Sequence, residues 1–406
     1  MSLAWHRLDN QVDLIAIPLQ QKILPFEKRT FHLNYTVKIP SDRFTRYGYD
    51  EEKGFVLKNW YLIPPRFENH QFVKYSNGDL DDMATGLCDY ELSVAIPENY
   101  QLNSDLNELG KTKNEAQTTY VLSGKQRTDF SLFIEPKSKF YSYKNEQVEV
   151  VTNLKDNNLN DIQKAIVIDR VVNYVSETIG VYPYQKITVS EVDYERNPFY
   201  GLNQLPSFIN VFQDEFVFEL KFLKTYLNNY LKNSLHLDPR KDHWIYDGIQ
   251  VYAMMQYIEE YRPEMKMLGG LSKLKILKSF NIINLDFNEQ YSYYYMLMAR
   301  KNLDQPLSNS RETLIRFNEK IASKYRAGLS LKYLDHYLED QVVPKTIQVF
   351  FALNANQLTS ARTFEALFKQ TTPKDIDWFF KSVVGTRDLI DYAFADVTKT
   401  KDSVTF

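Results

Sequence analysis

At 406 residues the chain is too long for one small core and implies two or three domains. Its 44% hydrophobic and 25% charged content excludes wholesale disorder, and a net charge of -3 without a basic block leaves no footprint for nucleic acid. The single cysteine, Cys88, excludes an internal disulfide and any cysteine-based zinc site, and no run approaches the ~20 apolar residues of a membrane span.

Residues 1–3 read as an expression remnant. From there to residue 153 the chain alternates apolar and polar residues in short runs rich in β-branched and aromatic side chains. The runs are Val12–Leu19, Thr30–Pro40, Phe55–Pro65, Asp89–Pro97, Thr118–Gly124, Asp129–Pro136 and Gln147–Leu154. They predict an all-β first domain, a curved sheet or open sandwich. The acidic stretch Gly78–Gly86 lacks the spacing of a calcium loop and reads as a solvated turn. Cys88 has no motif around it and reads as a small buried or strand residue.

The periodicity changes at about residue 154. Asn160–Ile179 carries apolar residues at helical spacing and stops at Gly180. A strand is predicted over Gln185–Tyr194, and from Asp214 to about residue 390 the pattern is mostly helical. Along Asp214–Asn233, Phe216, Leu220, Leu223, Leu227 and Leu231 make one apolar stripe. Lys221, Lys224, Thr225, Asn228, Asn229 and Lys232 make the opposite, polar stripe. A second helix begins near Trp244 and ends before Pro263. Residues 391–406 read as the start of a further β segment, so the chain reads as a piece of a longer protein. The expected class is α+β, with domains over 4–153 and 154–390.

The order of motifs resembles the M1 aminopeptidases, the gluzincins, from about Thr30 to Phe394. In that family H-E-x-x-H on one helix supplies two zinc-binding histidines and a general base, and a glutamate from a W-x-x-E-G helix completes the metal site. Here Trp244, Asp247 and Gly248 match the second element. Counting back over eighteen intervening residues from Asp247 reaches Asn228, which places Lys224, Thr225 and Asn228 where the family has His, Glu and His. Tyr182, Pro183 and Lys186 match a family segment upstream. Tyr200, Gly201, Leu202, Asn203 and Gln204 stand where the resemblance implies a substrate-binding strand, with Asn203 in place of the glutamate that holds the substrate amine. The resemblance puts the family's transition-state tyrosine at Tyr291, with Tyr293, Tyr294 and Tyr295 as competitors. It implies a saddle-like β domain followed by a thermolysin-like, mixed then mainly helical domain.

The chemistry of the motif is altered. A protonated lysine has no lone pair, Asn is a poor zinc ligand, and Thr is no general base near neutral pH. Asp247 alone does not make a catalytic zinc site, which uses three protein ligands. His236 and His243 read as surface or capping residues. Two placements are open for Lys224: an ammonium in the metal's place, paired with Asp247, or a side chain in solvent. The reading is a degenerate peptidase with no metal cofactor. Its expected partner is an extended peptide, taken up by β-addition along the Tyr200–Gln204 edge, or an envelope protein. The resemblance extends to Gram-negative chains fused to an outer-membrane barrel and implies a periplasmic or outer-membrane location. The alternative is an active zinc metallopeptidase that uses Asp247 with unconventional ligands.

Overall fold

Alternation along the first third of the chain resolves into two small antiparallel sheets. The computed structural model describes residues 4–405 apart from 10, 69, 75–79, 157, 203–210, 274–280 and 389–395. β1 (His6–Leu8) and β2 (Gln11–Ala16) form a hairpin. β3 (Gly48–Tyr49) and β4 (Phe55–Lys58) follow, then a second hairpin of β5 (Phe67–Glu68) and β6 (Gln71–Phe72). β7 (Cys88–Pro97), β8 (Gln101–Ser104), β9 (Asn107–Lys113), β10 (Gln117–Arg127) and β11 (Ser131–Glu135) complete the set. One sheet has the order β7-β10-β9 and the other β3-β4-β11-β8. Their facing side chains, among them Ile96, Leu102, Tyr120, Leu122, Phe130 and Leu132, make one core. This is the sandwich that the alternation predicts.

The run Thr30–Pro40 behaves otherwise. It pairs with no strand among the described residues, and Phe31, Leu33, Tyr35 and Val37 are exposed. Alternation sets the side-chain period, but a strand needs a neighbour for its backbone groups.

β12 (Tyr141–Lys144) and β13 (Glu149–Thr152) pair antiparallel, and β13 pairs in parallel with β14 (Lys186–Val189). The crossover is α1 (Asp161–Thr178), which opens on an Asn160–Gln163 capping box and ends before Gly180, whose φ of +149° suits glycine. This sheet straddles residue 153, so β12 and β13 pack with the second half of the chain. α2 (Glu191–Arg196) leads to α3 (Asp214–Ser234) and α4 (His243–Tyr261). After these come α5 (Glu289–Ala299), α6 (Ser323–Leu338), α7 (Val342–Asn354) and α8 (Ala361–Thr371). A short hairpin, β15 (Thr398–Lys399) with β16 (Val404–Thr405), lies near the end. Among the described residues no helix is long and apolar enough to cross a membrane.

α3 is the central helix of the second half and packs on α1, α4 and β14. Of its polar stripe, Lys224 and Thr225 are buried, and Lys221, Asn228, Asn229 and Lys232 are half-buried. α6 lies close against α4 because Gly328 allows it: a Cβ at Gly328 would fall 2.4 Å from Val251 Cγ1. Gly248 on α4 meets Leu331 of α6 in the same contact.

The two halves are joined by ion pairs, one half-buried and one buried. Arg196 Nη2 stands 2.6 Å from Asp81 Oδ2, and Arg240 Nη2 stands 3.0 Å from Asp82 Oδ2. Asp82 and Arg240 are both buried. The described part of the acidic stretch, Leu80–Gly86, is thus an interface segment and not a solvated turn. Two arginines from the second half account for its acids.

Candidate functional site

Lys224 on α3 lies within electrostatic reach of Asp247 on α4, and Asn228 is linked to that region through Asn197, whose Nδ2 donates to Asn228 Oδ1 at 3.5 Å. Lys224 is only 5% exposed and Thr225 is buried beside it, so the solvent placement of Lys224 is excluded. Thr225 spends its hydroxyl on its own helix, donating from Oγ1 to the Lys221 carbonyl at 2.8 Å. Asn228 donates from Nδ2 to Asn229 Oδ1 at 2.9 Å.

The lysine paired with Asp247 is not Lys224. Lys324, from α6, places Nζ 3.6 Å from Asp247 Oδ1 and donates to Asn197 Oδ1 at 3.0 Å. Gly328 explains how it gets there. Lys324 lies one turn before Gly328 on α6, and Asp247 lies one turn before Val251 on α4. The close Gly328–Val251 contact sets the two side chains opposite each other. A π-helical turn over Asn318–Ala322 leads into this part of α6.

His243 is the second neighbour of Asp247. Its Nδ1 stands 3.6 Å from Asp247 Oδ2, and its Nε2 is 3.0 Å from the Asn309 carbonyl. Of the expected surface or capping placement the surface one is excluded, because the ring is buried at the start of α4. His236 is buried as well, just past the end of α3.

The electrostatics follow from burial and these neighbours. Burial alone would raise the Asp247 carboxyl, but Lys324, His243 and Arg311 hold it well below the usual carboxylate range. Burial pushes the Lys224 ammonium down to about 7. Lys324 adds to that shift, and Asp247 only partly opposes it. Burial also lowers Lys324, against the pull of Asp247.

These residues do not fit zinc. Lys224 offers an ammonium, Thr225 a hydroxyl already engaged, and Asn228 an amide. The charge of Asp247, the one carboxylate of the set, is already balanced by a lysine. Among the described residues no group of three His, Cys, Asp or Glu side chains is placed to hold a metal ion.

The cleft segment is described in part. Tyr200, Gly201 and Leu202 are half-buried, and Asn203 and Gln204 lie outside the described residues. Gly201 has φ +110°, a conformation that favours glycine, and a Cβ there would approach Gln290 Oε1 to 3.3 Å. Tyr291 is sealed in the core, edge-on to Tyr325 at 4.8 Å, and its hydroxyl has no hydrogen-bond partner among the described residues. The tyrosine that meets the cleft segment is Tyr294, 4.7 Å from the Tyr200 ring and edge-on to it.

No protein-family model and no curated protein sequence matches the chain. Solved structures do. One is a two-domain M1 zinc metallopeptidase mutant bound to L-tryptophan, with TM-score 0.60, 14% identity, and coverage of 96% of this chain and 83% of that one. Another is an M1 zinc metallopeptidase mutant from Deinococcus radiodurans bound to a Tyr-Ser-Ala substrate, with TM-score 0.57, 14% identity, and coverage of 88% and 75%. A further structure of an M1 zinc metallopeptidase from Deinococcus radiodurans aligns with TM-score 0.54 at 14% identity over 88% and 75%. At this identity the likeness concerns the fold, and the chain has the fold of the M1 zinc metallopeptidases.

Proposed function

We propose that this chain is a peptidase-fold protein that has given up zinc and hydrolysis and serves as a peptide-binding or scaffolding module of the cell envelope. One observation supports the reading: Lys324 pairs with Asp247, the residue that the resemblance puts in the place of the third zinc ligand, and Lys224 is buried within electrostatic reach of both. A buried ammonium beside the carboxylate supplies the positive charge without a Lewis acid or an activated water. The half-buried Tyr200–Leu202 segment, backed by Tyr294, supports a retained peptide edge, because β-addition needs main-chain groups and no metal. The envelope location rests on the resemblance to Gram-negative chains of this type.

The deciding experiment is elemental analysis of the purified protein after incubation with zinc and desalting, alongside hydrolysis of an aminoacyl reporter. The expected result is no stoichiometric zinc and no chelator-sensitive hydrolysis, with retention of extended peptides on an array. Near-stoichiometric zinc that disappears in Asp247→Ala would overturn the reading in favour of a working metallopeptidase. Absence of peptide retention would leave a structural spacer.

A further inference from the structure

α5 turns an apolar face to solvent. Gln290, Tyr291 and Met298 are its buried residues and mark the side that meets the core. On the other side Tyr293 is 50% exposed, Met296 37% and Leu297 45%. These three stand at i, i+3 and i+4, so they share one helix face. The same face carries an exposed Glu289 in the first turn and an exposed Arg300 at the C-terminal cap. We propose that this face joins two copies of the chain as an antiparallel α5 pair about a two-fold axis.

The spacing is that of a helix seam. Glu289, Tyr293, Met296 and Arg300 follow one another at intervals of four, three and four residues, the repeat that keeps side chains along one line between two packed helices. A helix that is apolar on its outer as well as its inner side has a use for a second neighbour. Exposed single apolar residues need no explanation, but three on one face, closed at each end by a charge, form a pattern.

The charges select the occupant. Neither Glu289 nor Arg300 makes an ion pair or a side-chain hydrogen bond among the described residues. Their neighbours are already served: Asp286 faces Lys266 at 2.5 Å, Glu259 pairs with Lys332, and Asp304 faces Arg326 at 3.6 Å. When two copies of α5 lie antiparallel about the midpoint of the seam, Glu289 of one meets Arg300 of the other, and Tyr293 meets Met296. Each pairing occurs twice, as a two-fold interface requires. The central pairing sets a thioether against an aromatic ring, a favourable contact. Glu289 and Arg300 also complement the dipole of their own helix, but the dipole makes no use of the apolar residues between them. An anionic membrane surface would match Arg300 and repel Glu289. A second copy satisfies both ends at once.

The helix is roughly 16 Å long, and one such pair is small beside the ~1,200 Å² of a stable interface. Association should therefore be reversible and weak.

The test is sedimentation equilibrium of the whole protein from micromolar to near-millimolar concentration. The expected result is a monomer–dimer equilibrium. Glu289→Arg and Arg300→Glu each set like charges against one another at both ends of the seam, and each should weaken dimerisation roughly tenfold or more. Mixing the two single variants in equal amounts should restore it, because each chain then offers the charge that the other lacks. Restoration on mixing separates the interface from any effect of a substitution on its own helix, since each chain keeps its substitution throughout. A wild type that stays monomeric over the whole range overturns the proposal and leaves the face to a different partner. A dimer that both substitutions leave unchanged, or that mixing does not restore, overturns it too and puts the contact elsewhere on the molecule.

Discussion

Lys324 and Asp247, from helices far apart in the chain, stand 3.6 Å from one another inside the second half of the molecule, while Lys224, nearer in sequence, shares the burial without the pair. The two lysines should therefore respond to mutation in opposite directions. Replacing Lys324 by Met leaves the Asp247 carboxylate buried without its main counter-charge, and Asp247→Ala leaves two ammonium groups unopposed. Each should lower unfolding free energy by about 3–5 kcal/mol in urea titrations. An unchanged denaturation midpoint in both variants would show that the pair contributes nothing.

Lys224→Met should do the reverse near neutral pH. The folded-state value of about 7 lies below the ordinary 10.5. Between those values the unfolded chain holds a proton that the folded chain does not, so stability rises with pH across this window and declines toward pH 7. Lys232, at about 8, adds in the same direction. Lys224 alone should contribute on the order of 3–4 kcal/mol between pH 7 and pH 10, and Lys224→Met should remove that part of the slope. Denaturation series at pH 7 and pH 9.5 on both proteins measure it. An equal slope in the two would exclude Lys224 as its source.

Rebuilding the metal motif separates the lysine from the ligands. A variant with Lys224→His, Thr225→Glu, Asn228→His and Asp247→Glu carries the full donor set on the register this fold keeps. It should still fail to retain zinc, because the Lys324 ammonium occupies the field in which the cation would sit. Adding Lys324→Ala should restore stoichiometric zinc by elemental analysis. Zinc in the variant that keeps Lys324 would show that this lysine does not exclude the metal.

Gly328 is the predicted weak point of the helix contact. In Gly328→Ala the new methyl must displace Val251, whose Cγ1 would lie 2.4 Å away. Overpacking of this kind costs about 1–3 kcal/mol. The same displacement should part Lys324 from Asp247, so Asp247→Ala in the Gly328→Ala background should cost less than in the wild type. A double-mutant cycle reads that coupling; strict additivity would mean that Gly328 does not position the pair.

The helices and most strands were legible because their periodicity is local. What escaped was non-local. Lys324 belongs to a helix whose approach to α4 depends on Gly328, and nothing near Asp247 announces it. His243 was readable in principle, since Asp247 lies four residues on along the same helix, but a search for a histidine at that spacing passes over an aspartate. Acids at Asp81 and Asp82 read as solvated because their arginines lie in the other half of the chain. At Thr30–Pro40 the error ran the other way: the pattern was strand-like, and the fold offers it no partner.

The ion pairs of Asp81 with Arg196 and Asp82 with Arg240 also govern how the molecule comes apart. Pulling the β half away would strand four charges on surfaces shaped to exclude water, so neither half has a comfortable existence alone. Melting should accordingly appear as one transition, with calorimetric and van't Hoff enthalpies in agreement, and the protein should behave as a single mechanical body with two architectures.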